Sequence, residues 1–92
     1  MIRKMRLTKN SSLVETRKND ELIILNMDNG KYYGLQDTSL EIWELLDVYT
    51  DESELLEQVL KIYKENKDTI KKEVKQFIFN LTKERLVIYE KN

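Results

Sequence analysis

The hydrophobic pattern of this chain changes its period once, between residues 36 and 38. Up to residue 36, short runs of β-forming residues are separated by polar turns, which is the pattern of strands. From residue 38 onwards, apolar residues recur every three or four positions, which is the pattern of amphipathic helices. An order of strands followed by helices predicts an α+β fold.

Three strands are predicted in the first part of the chain. Residues 12–17 (SLVETR) alternate weakly, residues 18–20 (KND) form a turn, and residues 21–27 (ELIILNM) are rich in β-formers. The sequence DNG at 28–30 predicts a hairpin, because Asn and Gly tolerate the positive φ that tight turns need. Residues 31–36 (KYYGLQ) then form the return strand. We expect a three-stranded antiparallel meander with this last strand at an edge.

The register of the second hairpin stays open at this point. A two-residue loop of Asn29 and Gly30 places Met27 opposite Tyr32, whereas a three-residue loop with Gly30 as a bulge shifts every pair by one. In either register both faces of the central strand are partly apolar. One face carries Ile23, Leu25 and Met27, and the other carries Leu22 and Ile24. We therefore expect one face to meet the helices and the other to meet something else.

Three helices are predicted after the strands. The first begins with a capping box of Thr38 and Glu41. The second is capped by Thr50 or Asp51, and the third is capped by Asp68. The apolar stripes of the three helices are Leu40, Ile42, Trp43, Leu45 and Leu46; Leu55, Leu56, Val59, Leu60 and Tyr63; and Ile70, Val74, Phe77, Ile78 and Leu81. We expect Trp43 to pack between its helix and the neighbouring elements.

The composition limits the chemistry that the chain can perform. Its 92 residues suffice for a single domain, 1–92, with 40% hydrophobic and 36% charged residues. The chain has no Cys and no His, which removes disulfides, thiol nucleophiles, the commonest general base and the commonest metal ligand. No carboxylate stands in a metal-ligand spacing or beside a glycine-rich phosphate loop. We expect a protein that is not an enzyme and that holds neither a metal nor a cofactor.

Charge and hydropathy bear on location and on nucleic-acid binding. The formal net charge is −1, and no apolar run approaches the roughly 18 residues that a membrane span needs. The N-terminus lacks the apolar core of a signal peptide, so we expect a cytoplasmic protein. Winged-helix DNA-binding domains are a rival interpretation, supported by basic residues on the third helix: Lys71, Lys72, Lys75, Lys83 and Arg85. Glu73 and Glu84 interrupt this set and the chain is acidic overall, so no nucleic-acid partner is expected.

One segment carries a resemblance to a known family. The string GKYYGLQDTSLEIWELLD at 30–47 is followed by two amphipathic helices and by LTKERLVIY, in which residues 85–89 predict an optional last strand. Over residues 12–89 the chain resembles the RiPP recognition elements. These relatives of pyrroloquinoline-quinone synthesis protein D bind the leader segments of ribosomally made precursor peptides. The chain is most similar to the stand-alone members that serve lasso-peptide assembly, and similar strings occur in members that partner radical-SAM enzymes.

The resemblance implies a winged-helix-like fold, in which a three-stranded sheet packs on three helices. In that family the leader adds as an antiparallel strand to the third strand, here residues 31–36, and the third helix grips it from the other side. The implied peptide-binding residues are Lys31, Tyr32, Tyr33, Gly34 and Leu35 on the strand and Lys71, Val74, Lys75 and Ile78 on the helix. The sequence departs from the family at Gln36, where many relatives have Asn, and at Thr38-Ser39, where many have Gly.

The resemblance also implies a set of partners for a non-catalytic adaptor. The first is the leader segment of a precursor peptide. In the lasso case the others are a leader peptidase of the cysteine-protease type and an ATP-dependent macrolactam synthetase, and in the alternative a radical-SAM maturase takes their place. Phe79 lies about 180° around the third helix from Ile70, among polar residues, and is a candidate for contact with a partner enzyme.

The residues of the strand support an open edge in part. Small proteins usually blunt exposed strand edges with charges, prolines or bulges, yet in residues 31–36 only Lys31 is charged and there is no proline. Gly34 leaves room for another backbone or for a bulky side chain. The alternative is that Tyr32 and Tyr33 are ordinary strand residues, one in the core and one at the surface.

Overall fold

Strands come first and helices follow, as the change of period predicts. The computed structural model describes residues 5–91, with side chains from 6 to 90. In chain order the elements are β1 (Met5–Lys9), β2 (Leu13–Lys18), β3 (Glu21–Asn26), β4 (Lys31–Gln36), α1 (Asp37–Leu45), α2 (Glu52–Ile62), α3 (Lys67–Lys83) and β5 (Val87–Lys91). The α+β fold, with a three-stranded antiparallel sheet followed by three helices, is confirmed. Among the described residues, no helix is both long and apolar enough to cross a membrane.

The three-stranded sheet has the order β2-β3-β4, so β4 is an edge strand as expected. The first hairpin is tight, since Lys18 pairs with Glu21 and only Asn19 and Asp20 lie between them. Asn19 has a φ of 58°, in the left-handed region that Asn tolerates better than most residues. The predicted turn at 18–20 is therefore confirmed.

The second hairpin takes neither of the two registers that we considered. Asn26 pairs with Lys31, which leaves a loop of four residues between them. Asn26 is buried, and its Oδ1 accepts from the Asp28 N–H at 2.9 Å while its Nδ2 donates to the Glu84 carbonyl at 3.3 Å. The Gly30 N–H, at a φ of 72°, closes the loop on the Asn26 carbonyl at 2.8 Å. These bonds end β3 one residue earlier than predicted and so lengthen the loop.

The two faces of the sheet are nevertheless those expected, because the observed register differs from the two-residue-loop register by two positions. Leu22, Ile24 and Asn26 are buried on the inner face, which meets the helices. Ile23 and Leu25 lie on the outer face and are only half-buried. Met27 follows β3 in the loop and is exposed.

Helix α1 begins directly after the edge strand, and its predicted cap is wrong. The Ser39 Oγ accepts from the Gln36 N–H at 3.1 Å and donates to the Gln36 carbonyl at 2.7 Å. Asp37 has a φ of 51°, so the chain turns sharply there from strand to helix. The capping box of Thr38 and Glu41 does not form, because the cap residue is Gln36, two positions earlier, and Ser39 is the residue that bonds to its backbone.

The starts of the other two helices are predicted with mixed success. Asp51 caps α2, where its carboxylate accepts from the Ser53 N–H at 3.4 Å. Asp68 does not cap α3, because Asn66 occupies the cap position with a φ of 47° and Asp68 falls in the first turn. A carboxylate in that turn is still favoured by the helix dipole.

Trp43 lies at the centre of the core and is fully buried. Its Nε1 donates to Glu15 Oε1 on β2 at 3.0 Å. The Lys9 Nζ of β1 stands 4.2 Å from the centre of the ring and pairs with Asp47 at 2.9 Å. The prediction that Trp43 packs between α1 and its neighbours is confirmed.

A second sheet was only half predicted. The optional last strand exists as β5, but it starts at Val87 and not at residue 85. Helix α3 ends in a Schellman-type motif, in which Arg85 has a φ of 60° and the Leu86 N–H donates to the Leu81 carbonyl at 2.8 Å. Because this motif occupies residues 85 and 86, the strand begins only after it. Its partner β1 was not predicted.

The pKa of Tyr89, on β5, is raised above its ordinary value. The main cause is burial, and the second is the neighbouring Glu52 carboxylate, to which the Tyr89 hydroxyl donates at 3.1 Å.

Candidate functional site

The hydrogen bonds of the sheet decide which backbone groups of β4 face outward. The Met27 N–H donates to the Ser12 carbonyl, which means that Met27 and every second residue before it point their backbone groups toward β2. The residues between them, Leu22, Ile24 and Asn26, therefore point toward β4. Their partners on β4 are Leu35, Tyr33 and Lys31.

It follows that Tyr32, Gly34 and Gln36 direct their N–H and C=O groups away from the sheet. Ser39 already satisfies the N–H of Gln36. Within residues 5–91 no strand lies beside the backbone of Tyr32 or Gly34, because β4 is at the edge of its sheet. The open part of the edge is thus two residues long and offers two donors and two acceptors.

A groove runs beside this open edge, between β4 and α3. Its volume is about 210 Å³, and it is lined by Tyr33, Gly34, Leu35, Phe77, Asn80, Leu81, Glu84 and Leu86. The Tyr33 hydroxyl donates to Glu84 Oε1 at 2.9 Å, and the Lys31 Nζ lies 3.8 Å from the same oxygen. This polar cluster closes one end of an otherwise mostly apolar groove.

A second hollow continues the groove along α3. It measures about 170 Å³ and is lined by Thr38, Ser39, Ile42, Val59, Ile70, Glu73, Val74 and Phe77. Phe77 belongs to both linings, so the two depressions adjoin each other at its side chain. Together they form a largely apolar track beside β4 and the start of α1.

The predicted strand residues are brought together along this track, on two faces. Tyr33 and Leu35 point to the groove side, where Leu35 is buried and Tyr33 is half-buried. Tyr32 lies on the outer face of the sheet and is 70% exposed. Gly34 shares that outer face, and Lys31 stands at the end of the groove.

Most of the α3 residues that were predicted to bind the peptide do not line either depression. Val74 lines the second hollow, but Ile78 is only 1% exposed and belongs to the core. Lys71 and Lys75 are exposed and line neither depression. At about 100° per residue, both lysines lie on the far side of the buried stripe from Phe77.

The face of α3 that meets the groove carries Glu73, Phe77, Asn80 and Glu84. Sequence reasoning missed this face, because Phe77 was assigned to the core and the other three residues are polar. Their spacing of four, three and four residues was the available signal, since it keeps them on one side of a helix. Phe79 lies on another side of α3 and is 59% exposed, as expected.

Comparisons with known proteins identify the fold and the family of the chain. No curated protein matches the chain. A solved structure of TbiB1 in complex with the TbiA(beta) leader peptide matches with a TM-score of 0.76 and 22% sequence identity, covering 87% of this chain and 93% of that one. At this identity the match shows a shared fold. The family model described as Coenzyme PQQ synthesis protein D (PqqD) matches residues 21–87, from the start of β3 to the start of β5. Since that match spans well over half of the 92 residues, the chain belongs to the PqqD family.

Proposed function

We propose that this protein is a non-catalytic adaptor that binds the leader segment of a ribosomally made precursor peptide by adding it as a strand to β4. The observation that carries the proposal is the open edge at Tyr32 and Gly34 beside an apolar groove. Strand addition with side-chain pockets alongside is a recurring mode of peptide recognition. Membership of the PqqD family and the fold shared with TbiB1 in its leader-peptide complex support it.

The direction of the peptide follows from the antiparallel geometry. Its N-terminal part would lie near Gln36 and the hollow beside α1, and its C-terminal part near Lys31 and Glu84. Side chains opposite Tyr33 and Leu35 would enter the groove, where apolar residues are favoured, and the alternate side chains would lie on the outer face.

The backbone alone gives a modest affinity. Two donors and two acceptors, at about 0.5–1.5 kcal/mol net for each hydrogen bond, contribute a few kcal/mol before the cost of ordering the peptide. Selectivity therefore has to come from side chains in the groove and on the outer face. On this account the peptide-binding residues are Lys31, Tyr32, Tyr33, Gly34, Leu35, Phe77, Asn80 and Glu84, with Val74 in the hollow.

The adaptor would hold the leader while separate enzymes modify the rest of the precursor in the cytoplasm. We propose a lasso-peptide pathway, with a leader peptidase of the cysteine-protease type and an ATP-dependent macrolactam synthetase. A radical-SAM maturase is the alternative partner.

Neighbouring open reading frames identify the precursor, and its synthetic leader can then be titrated calorimetrically against the protein. Saturable binding of the leader, with no binding of the core segment, is expected; a leader that does not bind would contradict the proposal.

The two tyrosines are expected to behave differently when truncated. Tyr32→Ala should change the free energy of unfolding by no more than about 0.5 kcal/mol, because the side chain is exposed, yet weaken leader binding a few-fold through loss of a cross-strand contact. Tyr33→Ala should cost about 1–3 kcal/mol of stability, because a half-buried ring and its bond to Glu84 are lost. Thermal melts and calorimetric titration measure both quantities.

Tyr33→Phe is the matched control, since it keeps the ring and removes only the hydroxyl that donates to Glu84. It should retain most of the stability that Tyr33→Ala loses. Equal and negligible effects of Tyr32→Ala and Tyr33→Ala on leader affinity would remove both tyrosines from the binding site.

Phe79 is proposed to contact a partner enzyme. Because it is exposed on a side of α3 that does not line the groove, Phe79→Ala should leave leader affinity unchanged and reduce the rate at which the partner processes the bound precursor. The rate of leader cleavage, with and without the adaptor, is the measurement. Lys72→Ala is the control, because Lys72 is exposed on the same side of α3 two turns earlier and lines neither depression. Unchanged processing by Phe79→Ala would rule out this contact.

A further inference from the structure

Glu21 fills the space that a side chain at position 34 would take. It is the first residue of β3, on the outer face of the sheet, and its register partner is Gln36. A Cβ on Gly34 would lie only 2.8 Å from Glu21 Oε2 and 3.4 Å from its Cδ. The carboxylate therefore lies over the backbone of Gly34, at the open part of the edge strand.

One hydrogen bond orients this carboxylate, and among the side chains of residues 6–90 no lysine or arginine nitrogen lies within 4.0 Å of it. The Gln36 Nε2 donates to Glu21 Oε2 at 3.3 Å. Lys18 is the register partner of Glu21 on β2, on the side away from the open edge. The ion pairs within these residues are Arg6–Glu90, Lys9–Asp47, Arg17–Glu44 and Lys31–Glu84. A half-buried, oriented anion thus stands where an added strand would approach.

The consequence rests on the proposed function. In an antiparallel peptide bonded to Gly34, the residue directly opposite places its side chain on the same outer face. Since Gly34 has no side chain, nothing separates that peptide residue from the Glu21 carboxylate. We propose that Glu21 is a specificity-determining residue, which selects a lysine or an arginine at the peptide position opposite Gly34.

The geometry also fixes where this basic residue stands in the peptide. Because the peptide runs antiparallel to β4, the basic residue comes two positions before the peptide residue that lies opposite Tyr32. The peptide residue between these two directs its side chain into the groove, where apolar residues are favoured. The ion pair would be partly exposed, so the preference for a basic over a neutral residue is expected to be about three- to tenfold.

The test uses a displayed library of short random peptides, selected on the parent protein, on Glu21→Gln and on Glu21→Lys. A peptide selected on the parent is then resynthesised with its basic residue changed to glutamine or to glutamate. The parent should bind the basic peptide best, Glu21→Gln should bind the three peptides about equally, and Glu21→Lys should prefer the acidic one. Glu57→Lys, a reversal of charge at an exposed position of α2, should keep the preference of the parent.

Two failures are distinguishable. If Glu21→Lys prefers the same basic peptide as the parent while Gly34→Pro no longer binds it, strand addition stands and the role of Glu21 is wrong. If Gly34→Pro binds the selected peptides as the parent does, or if no peptide is enriched at all, the proposed function fails and the role of Glu21 fails with it.

Discussion

Gly34→Pro is expected to lower leader affinity at least tenfold while the protein stays folded. The N–H of Gly34 points away from β3, so a proline there removes no hydrogen bond from the sheet. In the complex this N–H would donate to the peptide, at about 0.5–1.5 kcal/mol net, and the proline ring adds a clash on the side of approach. Isothermal titration of the synthetic leader, with thermal melts alongside, measures both effects.

Gly34→Ala is the matched control for that proline. Both substitutions add a Cβ that displaces the Glu21 carboxylate, since this position lies 2.8 Å from Oε2, but only proline removes the N–H. The alanine variant should therefore keep leader affinity within a few-fold of the parent. Tyr33→Pro should instead destabilise the hairpin, because Tyr33 pairs with Ile24 inside the sheet. A folded Gly34→Pro protein that binds the leader as tightly as the parent would exclude strand addition to β4.

The sequence predicts those parts of the fold that depend on local signals. The turn at Asn19 and the hairpin loop that ends at Gly30 are marked by residues that tolerate positive φ, and both turns exist. The change of hydrophobic period before residue 38 marks the passage from strand to helix. The edge position of β4 follows from the meander, because no later strand of the described chain adds to that sheet.

The details that failed depend on contacts between residues far apart in the chain. The register of the second hairpin is set by the buried Asn26, whose amide bonds to the Glu84 carbonyl 58 residues away. Strand β1 exists because it pairs with β5 at the other end of the chain, and its Leu7 N–H donates to Thr50. Neither contact leaves a trace in local hydrophobicity or turn propensity.

The candidate site was half predictable for a similar reason. Tyr32, Tyr33 and Gly34 lie on an edge strand whose alternation is fixed by its own sequence, so their placement required only that the strand be recognised. Which face of α3 lines the groove depends on how that helix is rotated against β4. The buried stripe does not fix this rotation, because the residues on either side of the stripe could face the groove. Lys71 and Lys75 flank one side of the stripe, while Phe77 and Asn80 flank the other, and only the packed structure distinguishes the two.

Trp43→Ala is expected to cost about 3–5 kcal/mol of the free energy of unfolding, because a fully buried indole leaves a cavity between α1 and β2. The loss includes the bond from Nε1 to Glu15 and the cation–π contact with Lys9. For a domain whose total stability is of the order of 5–15 kcal/mol, this loss is a large fraction of the total. Urea unfolding of the parent and the variant measures the difference.

Trp43→Phe separates packing from hydrogen bonding, since it keeps much of the buried volume and removes the N–H. Glu15 remains exposed to water and can be solvated when this donor is lost, so the phenylalanine variant should cost clearly less than the alanine variant, about 1–2 kcal/mol. Leader binding should fall in either variant only in proportion to the unfolded fraction, because Trp43 lines neither the groove nor the hollow beside α1. A Trp43→Ala protein that is well folded by urea titration and yet fails to bind the leader would show that the indole belongs to the site itself.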